Sequence, residues 1–408
     1  MSQIFTRFKY DSAALMLPII IHADRALTPF EEISDAVIVI QGSKISAIGQ
    51  RGKVAVPRGA REIMARGKTI VPGFVDVHIH GAGGHDVMEG TPQALEIIAA
   101  TVALHGTTSI VATTVTASQM EICRSVGDIA RFILESGLSP ARELAAEIVG
   151  IHFEGPFISP AKRGVHPAQW IAAPSPTLLL RFLDQARGTG KILTLAPELP
   201  GALELIAVAR SAGLVVSLGH TNAKYEQAQA AIAAGARHAA HVFNAMRPFS
   251  HRDTGVLGAV FTSPEVSAEL IADGVHVDAA AIRVLLGLKA PDRVILVSDG
   301  ISATGMPDGK YLLGSFEVSV SGGVCRNSEG KLAGSTLTLD RALRNIVALG
   351  VPLATALQMV TANPAKQIGL GSRKGVLAAG ADADLVFLDA NLQIRGVMTR
   401  GAGLAISE

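Results

Sequence analysis

Residues 71–83 read VPGFVDVHIHGAG, an apolar run that ends in two histidines spaced one residue apart and then breaks into glycine. Residues two apart in a β-strand face the same side of a sheet, so the run predicts a buried strand with His78 and His80 on one face near its carboxyl end. A lone pair of this kind is weak evidence of function, because such histidines are more often hydrogen-bonded core or loop residues. The rest of the chain decides what the pair indicates.

Seven more short β-rich apolar runs follow, and Ala- and Leu-rich helical stretches separate them. This alternation is typical of βαβ units that build a parallel sheet. Eight such units within about 250 residues favour a closed (β/α)8 TIM barrel over an open doubly wound sheet. No Gly-X-Gly-X-X-Gly motif follows the first strand, which disfavours a dinucleotide-binding fold. The predicted strands cover residues 75–80, 107–115, 147–154, 192–198, 214–220, 238–243, 268–273 and 293–299.

The sequence changes character on both sides of these units. Residues 34–50 read as two strands around a turn, and residues 381–389 and 392–401 read as two more. Neither end can form a stable sheet alone, so we predict that the termini pair into one small β-sandwich domain. The predicted organisation is residues 1–71 and 372–408 in the small β domain and residues 72–371 in the catalytic barrel, with helices near 336–349 and 354–368 at the barrel base.

The composition excludes several classes of function. A net charge of +1 leaves no general field that would attract nucleic acid or an anionic membrane, so an anionic ligand has to be met by a few placed groups. Cys123 and Cys325 have neither metal-ligand nor redox spacing, which fits a reducing compartment. The first 26 residues lack signal-peptide features, and the uncharged residues 97–120 are interrupted by six threonines. We expect a cytoplasmic protein with no membrane segment and no nucleic-acid partner.

Side chains that bind metals stand at the carboxyl ends of four other predicted strands. They are Glu154, His220, His241 and Asp299. Barrel enzymes build their active sites at this end of the barrel, and an accidental convergence would bury several ionisable groups without partners, which is costly. Imidazole and carboxylate ligands without thiolates suit zinc or ferrous iron and rule out a Cys-type structural zinc site. Together with the first-strand pair, these residues predict a divalent metal centre.

A metal centre of this composition lowers the pKa of a bound water toward ~7 and polarises a carbonyl, while a nearby carboxylate moves the proton. Asp299 is placed for that proton transfer, and the sequence leaves open whether it is instead only a ligand. The fourth strand ends in LAPE, residues 195–198, without the lysine that bridges two metals in some barrel hydrolases. Glu154 is therefore the better bridging candidate, and Glu198 is expected to be a loop residue or to support the ligands.

Longer motifs make the interpretation more specific. They include GIHFEGPFISPAKRGVHP (150–167), SLGHTNA (217–223), HVFNAMRPFSHRDTGVLGA (241–259), ELIADGVHVD (269–278), SDGISATGMPDGKY (298–311) and LAGSTLTLD (332–340). With these segments the chain resembles the amidohydrolase superfamily and, along nearly its full length, the N-acetylglucosamine-6-phosphate deacetylase family within it. The resemblance implies a barrel with a small β-sandwich domain that hydrolyses the acetamido group of a phosphorylated amino sugar.

The resemblance also implies roles for individual residues. It makes Glu154, His220 and His241 the principal metal ligands and Asp299 the catalytic acid and base. Members of the family differ at the first-strand pair, so the chain is expected to hold one or two ions, the second bound by His78, His80, Glu154 and Asp299.

For the substrate, the resemblance implies that His166 helps to hold the amide carbonyl and that the backbone N–H groups of Asn244 and Ala245 meet the phosphate. Arg252 and His276 correspond to side chains that contact phosphate or sugar. The resemblance points to a homodimer, with Arg252 contributed across the interface. The remaining histidines are expected to be structural or solvated, His152 being the one that can support the ligands from behind.

Three alternatives stay open at this point. Deacetylation of the N-acetylgalactosamine 6-phosphate epimer needs the same metal ligands. It differs only in the orientation of one sugar hydroxyl that the pocket has to accommodate. A cyclic-amide hydrolase is disfavoured by the missing lysine on the fourth strand. A non-catalytic scaffold with the same barrel would be expected to have lost Asp299 or a ligand histidine, and the sequence has lost none.

Overall fold

A computed structural model of the chain describes residues 17–136 and 144–403. Part of the expectation about the N-terminus concerns residues 1–16, which lie outside this range. Within the described ranges, no helix has the length and hydropathy needed to cross a bilayer.

Nineteen strands and ten α-helices are described along the chain. The strands are β1 (Ile19–Leu27), β2 (Glu32–Gln41), β3 (Lys44–Gln50), β4 (Arg61–Pro72), β5 (Phe74–Ile79), β6 (Gly81–Ala82), β7 (His85–Asp86), β8 (Thr107–Thr114), β9 (Glu147–Glu154), β10 (Gly190–Leu195), β11 (Val215–Leu218), β12 (His238–Ala239), β13 (Ser267–Leu270), β14 (Val294–Leu296), β15 (Gly309–Leu313), β16 (Phe316–Ser321), β17 (Val324–Arg326), β18 (Leu385–Leu388) and β19 (Ile394–Met398). The helices are α1 (Pro92–Ala103), α2 (Gln119–Ser136), α3 (Pro176–Ala186), α4 (Ala202–Ser211), α5 (Tyr225–Ala234), α6 (Gly255–Thr262), α7 (Ala279–Leu288), α8 (Leu339–Ala348), α9 (Leu353–Val360) and α10 (Ala362–Gln367).

The eight strands predicted for the barrel form one parallel sheet in which neighbours in sequence are neighbours in space, from β5 through β8 to β14. Val, Ile and Leu dominate these strands because both faces are covered, one by the barrel interior and one by the helices. The barrel closes at its carboxyl end, where the Asp299 N–H donates to His78 O (2.9 Å) and the His80 N–H donates to Gly300 O (2.8 Å). The predicted (β/α)8 architecture is confirmed.

The chain termini form a separate six-stranded sheet in the order β19-β18-β4-β1-β2-β3. The predicted pairing of both ends into one small β domain is confirmed. Strands β1 and β4, neither of which was predicted from the sequence, make this possible: β18 pairs antiparallel with β4, and β1 pairs parallel with β4. Apolar side chains cover both faces of the sheet, because Ile38 and Ile40 belong to one apolar cluster and Val37 and Val39 to another. The sheet of β15, β16 and β17, between β14 and α8, was also not predicted.

Several barrel strands end earlier than predicted, and three of them end before a residue of the predicted site. Strands β11, β12 and β14 stop two or three residues before His220, His241 and Asp299, which the sequence analysis placed on the strands. At these three residues the backbone is left-handed, with φ of 47°, 27° and 49°. This region is unfavourable for residues other than glycine and is tolerated where the surrounding structure holds it, often at functional sites. The chain therefore turns off the barrel wall at the points where these side chains are needed.

A buried ionic cluster joins the barrel to the small sheet. The Lys374 ammonium group, with a fully buried side chain, lies 2.6 Å from Glu147 at the start of β9 and 2.8 Å from both Asp382 and Asp384, which precede β18. Burial lowers the pKa of Lys374, but the three carboxylates more than offset this effect and raise it. The cluster thus fixes the segment that returns the chain from the barrel to the sheet.

Candidate metal centre

The carboxylate of Glu154 is the centre of the cluster at the carboxyl end of the barrel. Glu154 is the last residue of β9 and is 2% exposed. Five imidazoles point an Nε2 atom at it: His78 (3.2 Å), His220 (3.1 Å) and His241 (3.0 Å) face Oε1, and His80 (3.3 Å) and His166 (3.5 Å) face Oε2. The structure therefore brings the predicted ligand residues together, although they come from five different strands or strand ends.

In four of these rings, the contact made by the opposite nitrogen, Nδ1, determines which nitrogen carries the proton. Three Nδ1 atoms bond to backbone carbonyl oxygens: His80 to Thr113 (3.0 Å), His220 to Lys162 (3.0 Å) and His241 to Asn244 (3.2 Å). The fourth, in His78, bonds to the carboxylate of Glu269 (2.8 Å). Carbonyl and carboxylate oxygens only accept, so each Nδ1 carries a proton and each neutral ring presents a lone pair at Nε2.

The donor set fits a divalent cation. Four Nε2 lone pairs face carboxylate oxygens at 3.0–3.3 Å, an arrangement that is repulsive unless a positive charge lies between them. Imidazoles whose Nδ1–H is held by a carbonyl or carboxylate are the usual metal ligands of proteins. In addition, Nε2 of His78 is buried and makes no hydrogen bond within the described residues. The roles of these residues as metal ligands stay predictions.

Besides the carboxylates of Glu154 and Glu269, the site contains that of Asp299, which follows β14. Its Oδ1 atom lies 3.2 Å from Nε2 of His80 and 3.7 Å from Nε2 of His78. The three residues are near enough to share one ion, as are His78, Glu154 and His241. Asp299 is 9% exposed, more than Glu154 or His78, so it faces the open mouth of the barrel.

His166 differs from the other imidazoles in its protonation. Its Nδ1 accepts the backbone N–H of Thr116 at 3.2 Å, so the neutral ring carries its proton on Nε2, the atom that faces Glu154. Burial lowers the pKa of His166 to about 4, which keeps the ring neutral near pH 7. His166 is therefore a hydrogen-bond donor toward the cluster, whereas the other four rings offer lone pairs.

The charges of the cluster support one another. Burial raises the pKa of the Glu154 carboxyl, but the imidazoles of His78 and His220 more than offset this and hold the pKa well below its usual range. Burial lowers the pKa of His80, yet its hydrogen bonds to Asp299 and Glu154 raise it to about 9. The carboxylates therefore favour a positive charge on the imidazoles, and the imidazoles favour the negative charge of Glu154; a cation held by the cluster would take the place of the proton on His80.

The residues predicted to bind substrate lie at the rim. The Asn244 N–H already donates to His241 O (2.9 Å), whereas the Ala245 N–H has no partner among the described residues. Arg252 is exposed on the loop before α6 and makes no ion pair within the described ranges. His276 is held by Asp273 through Nδ1 at 2.7 Å and does not contact the cluster. The structure does not bring Arg252 and His276 into contact with the side chains of the Glu154 cluster.

Two buried carboxylates that support the cluster were not predicted from the sequence. Glu269 on β13 bonds to His78, and Asp76 on β5 accepts the backbone N–H groups of His78 (3.2 Å) and Ser298 (3.3 Å). Burial raises the pKa of Asp76 to about 6. The sequence did contain a signal for both residues: each is an acidic residue inside an apolar parallel strand, and such a residue needs a buried partner. Glu198 accepts from Thr221 and holds the loop after β11, as expected.

Comparisons with known proteins agree with this geometry. The family model described as "Amidohydrolase family" matches residues 69–403. The chain is 38% identical to N-acetylglucosamine-6-phosphate deacetylase from Vibrio furnissii, with 93% of each chain covered, and 35% identical to the Bacillus subtilis enzyme of that name, with 92% and 94% covered. The chain belongs to the amidohydrolase family, among its N-acetylglucosamine-6-phosphate deacetylases.

The fold of this chain is also similar to those of solved deacetylase structures. The N-acetyl-D-glucosamine-6-phosphate deacetylase of Mycobacterium smegmatis, as an aspartate-to-alanine mutant in complex with N-acetyl-D-glucosamine 6-phosphate, superposes with a TM-score of 0.88. It is 37% identical, and the match covers 96% of this chain and 100% of that one. A relative from Escherichia coli O157:H7 that is 35% identical is an N-acetylgalactosamine-6-phosphate deacetylase, so the family match leaves the sugar epimer open.

Proposed function

We propose that the protein is a metal-dependent deacetylase that hydrolyses the acetamido group of N-acetyl-D-glucosamine 6-phosphate to glucosamine 6-phosphate and acetate. The observation that carries this proposal is the convergence of four imidazole lone pairs on Glu154, with Asp299 and the donor His166 beside them. An amide hydrolase needs a cation, a proton carrier and a donor for the carbonyl oxygen, and the cluster offers a group for each.

Glu154, His220 and His241 would hold a divalent cation, zinc or ferrous iron, and His78, His80, Glu154 and Asp299 would hold a second ion where two are bound. A cation bound there lowers the pKa of a water molecule and polarises the amide carbonyl. Neutral imidazoles with carboxylates suit both metals. The number of ions per chain, one or two, is part of the proposal.

His166 would donate its Nε2 proton to the oxygen of the acetamide carbonyl. As a neutral donor fixed by Thr116, it needs no proton rearrangement when negative charge develops on that oxygen. Removing one such donor typically costs about 10²–10³ in kcat.

Asp299 would move the proton. Its carboxylate accepts a proton from the attacking water as the C–O bond forms, and it returns that proton to the sugar nitrogen as the C–N bond breaks. Its position at the mouth of the barrel, beside His80, is consistent with access to both groups. The products are then the free amine, protonated at neutral pH, and acetate.

The 6-phosphate would bind at the turn after β12. The free Ala245 N–H and the Arg252 guanidinium are the candidate donors, with His276 near the sugar. A chain of net charge +1 needs a local clamp of this kind, and arginine supplies charge-assisted bidentate bonds to phosphate. The proposed homodimer would bring in Arg252 from the partner subunit, which is consistent with its exposure and its lack of contact with the cluster.

The second candidate is deacetylation of N-acetylgalactosamine 6-phosphate, which the similarity to the Escherichia coli relative favours. The test is acetate release by the purified protein from each 6-phosphate, with metal content measured on the same sample. We expect a higher kcat/KM for the glucosamine epimer, and the opposite preference would transfer the assignment to the galactosamine epimer. Failure to release acetate from either sugar with metal bound would contradict the proposal.

A further inference from the structure

Glu269 lies behind the metal-binding residues and has no role in the function proposed above. It stands on β13, is 0% exposed, and lies in the run AELIAD (268–273) between Ala268 and the apolar residues Leu270, Ile271 and Ala272. A carboxylate buried to this extent costs several kcal/mol unless its charge is paired and its oxygens accept hydrogen bonds. Its contacts therefore indicate why it is there.

Three N–H groups converge on the two oxygens of Glu269. Nδ1 of His78 lies 2.8 Å away, Nε2 of His238 lies 2.7 Å away, and the backbone N–H of His241 donates at 3.0 Å. His78 and His238 are themselves 0% exposed. Glu269 thus connects a histidine of the cluster, the first residue of β12 and the backbone of a second cluster histidine.

His78 is the one lone-pair imidazole that is backed by a carboxylate, since the other three are backed by backbone carbonyls. A carboxylate fixes the ring orientation and makes Nε2 a stronger base, because it stabilises positive charge on the imidazole. That Nε2 is buried, has no hydrogen bond, and points between Glu154 (3.2 Å) and Asp299 (3.7 Å). Nε2 of His78 is therefore already positioned and oriented as a ligand atom for a cation beside His80.

The charges of the buried carboxylates also favour a second cation. Glu154, Asp299 and Glu269 together carry three negative charges in a buried site, and the imidazoles add none when neutral. One divalent cation brings this group to −1 and two bring it to +1, whereas without Glu269 the doubly occupied site would carry +2. Since uncompensated buried charge is costly, Glu269 favours occupation of the second position.

We propose that Glu269, held in place by His238, is the positioning residue that enables His78 and His80 to retain a second divalent cation. This inference rests on the proposed function for the identity of the cluster as a metal centre. It assigns to Glu269 an effect on metal binding that is separate from substrate binding, which takes place at the rim.

The test compares Glu269→Leu and Glu269→Gln with the wild-type chain. Leucine removes both oxygens, whereas glutamine keeps one acceptor oxygen for His78 but loses the charge and presents an NH2 donor in place of the oxygen that faces His238. The matched control is Asp340→Asn. It removes a buried carboxylate on α8 that is paired with His105, away from the cluster. Apoproteins are titrated with Zn²⁺, bound metal is counted by elemental analysis, and the melting temperature is measured with and without metal.

We expect two Zn²⁺ per chain for the wild type and for Asp340→Asn. Glu269→Leu should bind the second ion about 10–100-fold more weakly and lose part of the metal-induced rise in melting temperature, and Glu269→Gln should show a smaller loss. With Co²⁺ as the probe, the visible absorption of the second site should decrease in the same order. KM for the sugar phosphate should change little.

Two results would overturn the inference: wild-type affinity for the second ion in both Glu269 variants, or a single ion in the wild type at saturating Zn²⁺. A variant that lowers only the melting temperature of the apoprotein, with metal affinity unchanged, would show a purely structural role and also overturn it. Acetate release is measured separately. A wild type that binds two ions through Glu269 and releases no acetate would contradict the proposed function and leave the inference intact.

Discussion

The backbone N–H of Thr116 donates to Nδ1 of His166 over 3.2 Å, and this single contact places the proton of the imidazole on the side of the cluster. A backbone amide can only donate, so the tautomer follows from the geometry. The histidine thereby becomes a donor among rings that offer lone pairs. Its chemistry is set by a neighbour 50 positions away in sequence.

We predict that His166→Ala lowers kcat for the sugar phosphate by about 10²–10³-fold, because one donor to the developing oxyanion is lost. Metal content should stay at the wild-type value, since Nε2 of this ring carries a proton. Steady-state kinetics and elemental analysis of the same preparation check both parts. Thr116→Val is the control: it removes the Thr116 hydroxyl, which lies 2.9 Å from Nδ1, but keeps the backbone N–H that sets the tautomer, and it should retain activity within a few-fold. A loss of metal in His166→Ala would mean that the ring is a ligand.

We predict that Asp299→Asn keeps the fold and loses about 10²–10⁴ in kcat, because the amide cannot carry the proton from water to the leaving nitrogen. The bell-shaped pH dependence of kcat/KM should lose its acidic limb in the residual activity. Circular dichroism, metal analysis and a pH profile of acetate release check these expectations. Wild-type turnover in this variant would exclude Asp299 as the proton carrier.

We predict that Arg252→Ala raises KM for N-acetylglucosamine 6-phosphate by about 10–100-fold, the equivalent of one lost charge-assisted hydrogen bond. The unphosphorylated sugar should be affected far less. Arg51→Ala, which removes an exposed arginine of the small domain paired with Asp35, is the control and should change neither value. Equal losses for both sugars would remove the phosphate assignment from Arg252.

We predict that Lys374→Met destabilises the protein by about 3–5 kcal/mol at pH 7, because Glu147, Asp382 and Asp384 lose their common cation. Lys310→Met removes an exposed ion pair with Glu317 and should cost far less, because solvent screens the pair. Urea unfolding of both variants checks the difference. Similar small losses in the two variants would contradict the role of the buried cluster.

The same cluster predicts a pH dependence. Burial raises the pKa values of Glu147 and Asp382, but Lys374 more than offsets this and lowers both. Carboxyls with depressed folded pKa values contribute stability above their unfolded pKa near 4, and this stability is lost as pH falls through the folded values. The free-energy difference between wild type and Lys374→Met should therefore be largest near neutral pH and shrink below about pH 4. At the alkaline end, the raised Lys374 pKa keeps its contribution until pH rises past the ordinary lysine value of about 10.4.

The sequence could predict the barrel because its signals are local. Each buried parallel strand is an apolar run of a few residues, and a side chain at its end reaches the same rim as those of the other strands. For this reason Glu154 and the first-strand pair could be assigned to one site before any distance was known. The strand β4 was missed because its outer half, residues 61–68 (REIMARGK), contains four charged residues and a glycine and lacks the apolar run of a barrel strand.

What the sequence determined by itself is the barrel, the pairing of the two termini and the set of side chains that meet at the rim, since these depend on residue type and short-range periodicity. Only the tertiary structure decided which ring nitrogen carries each proton, that Glu269 supports His78 across 191 positions, and that the chain turns left-handed at His220, His241 and Asp299. Those features depend on hydrogen bonds and charges between residues distant in sequence, and no local pattern specifies such contacts.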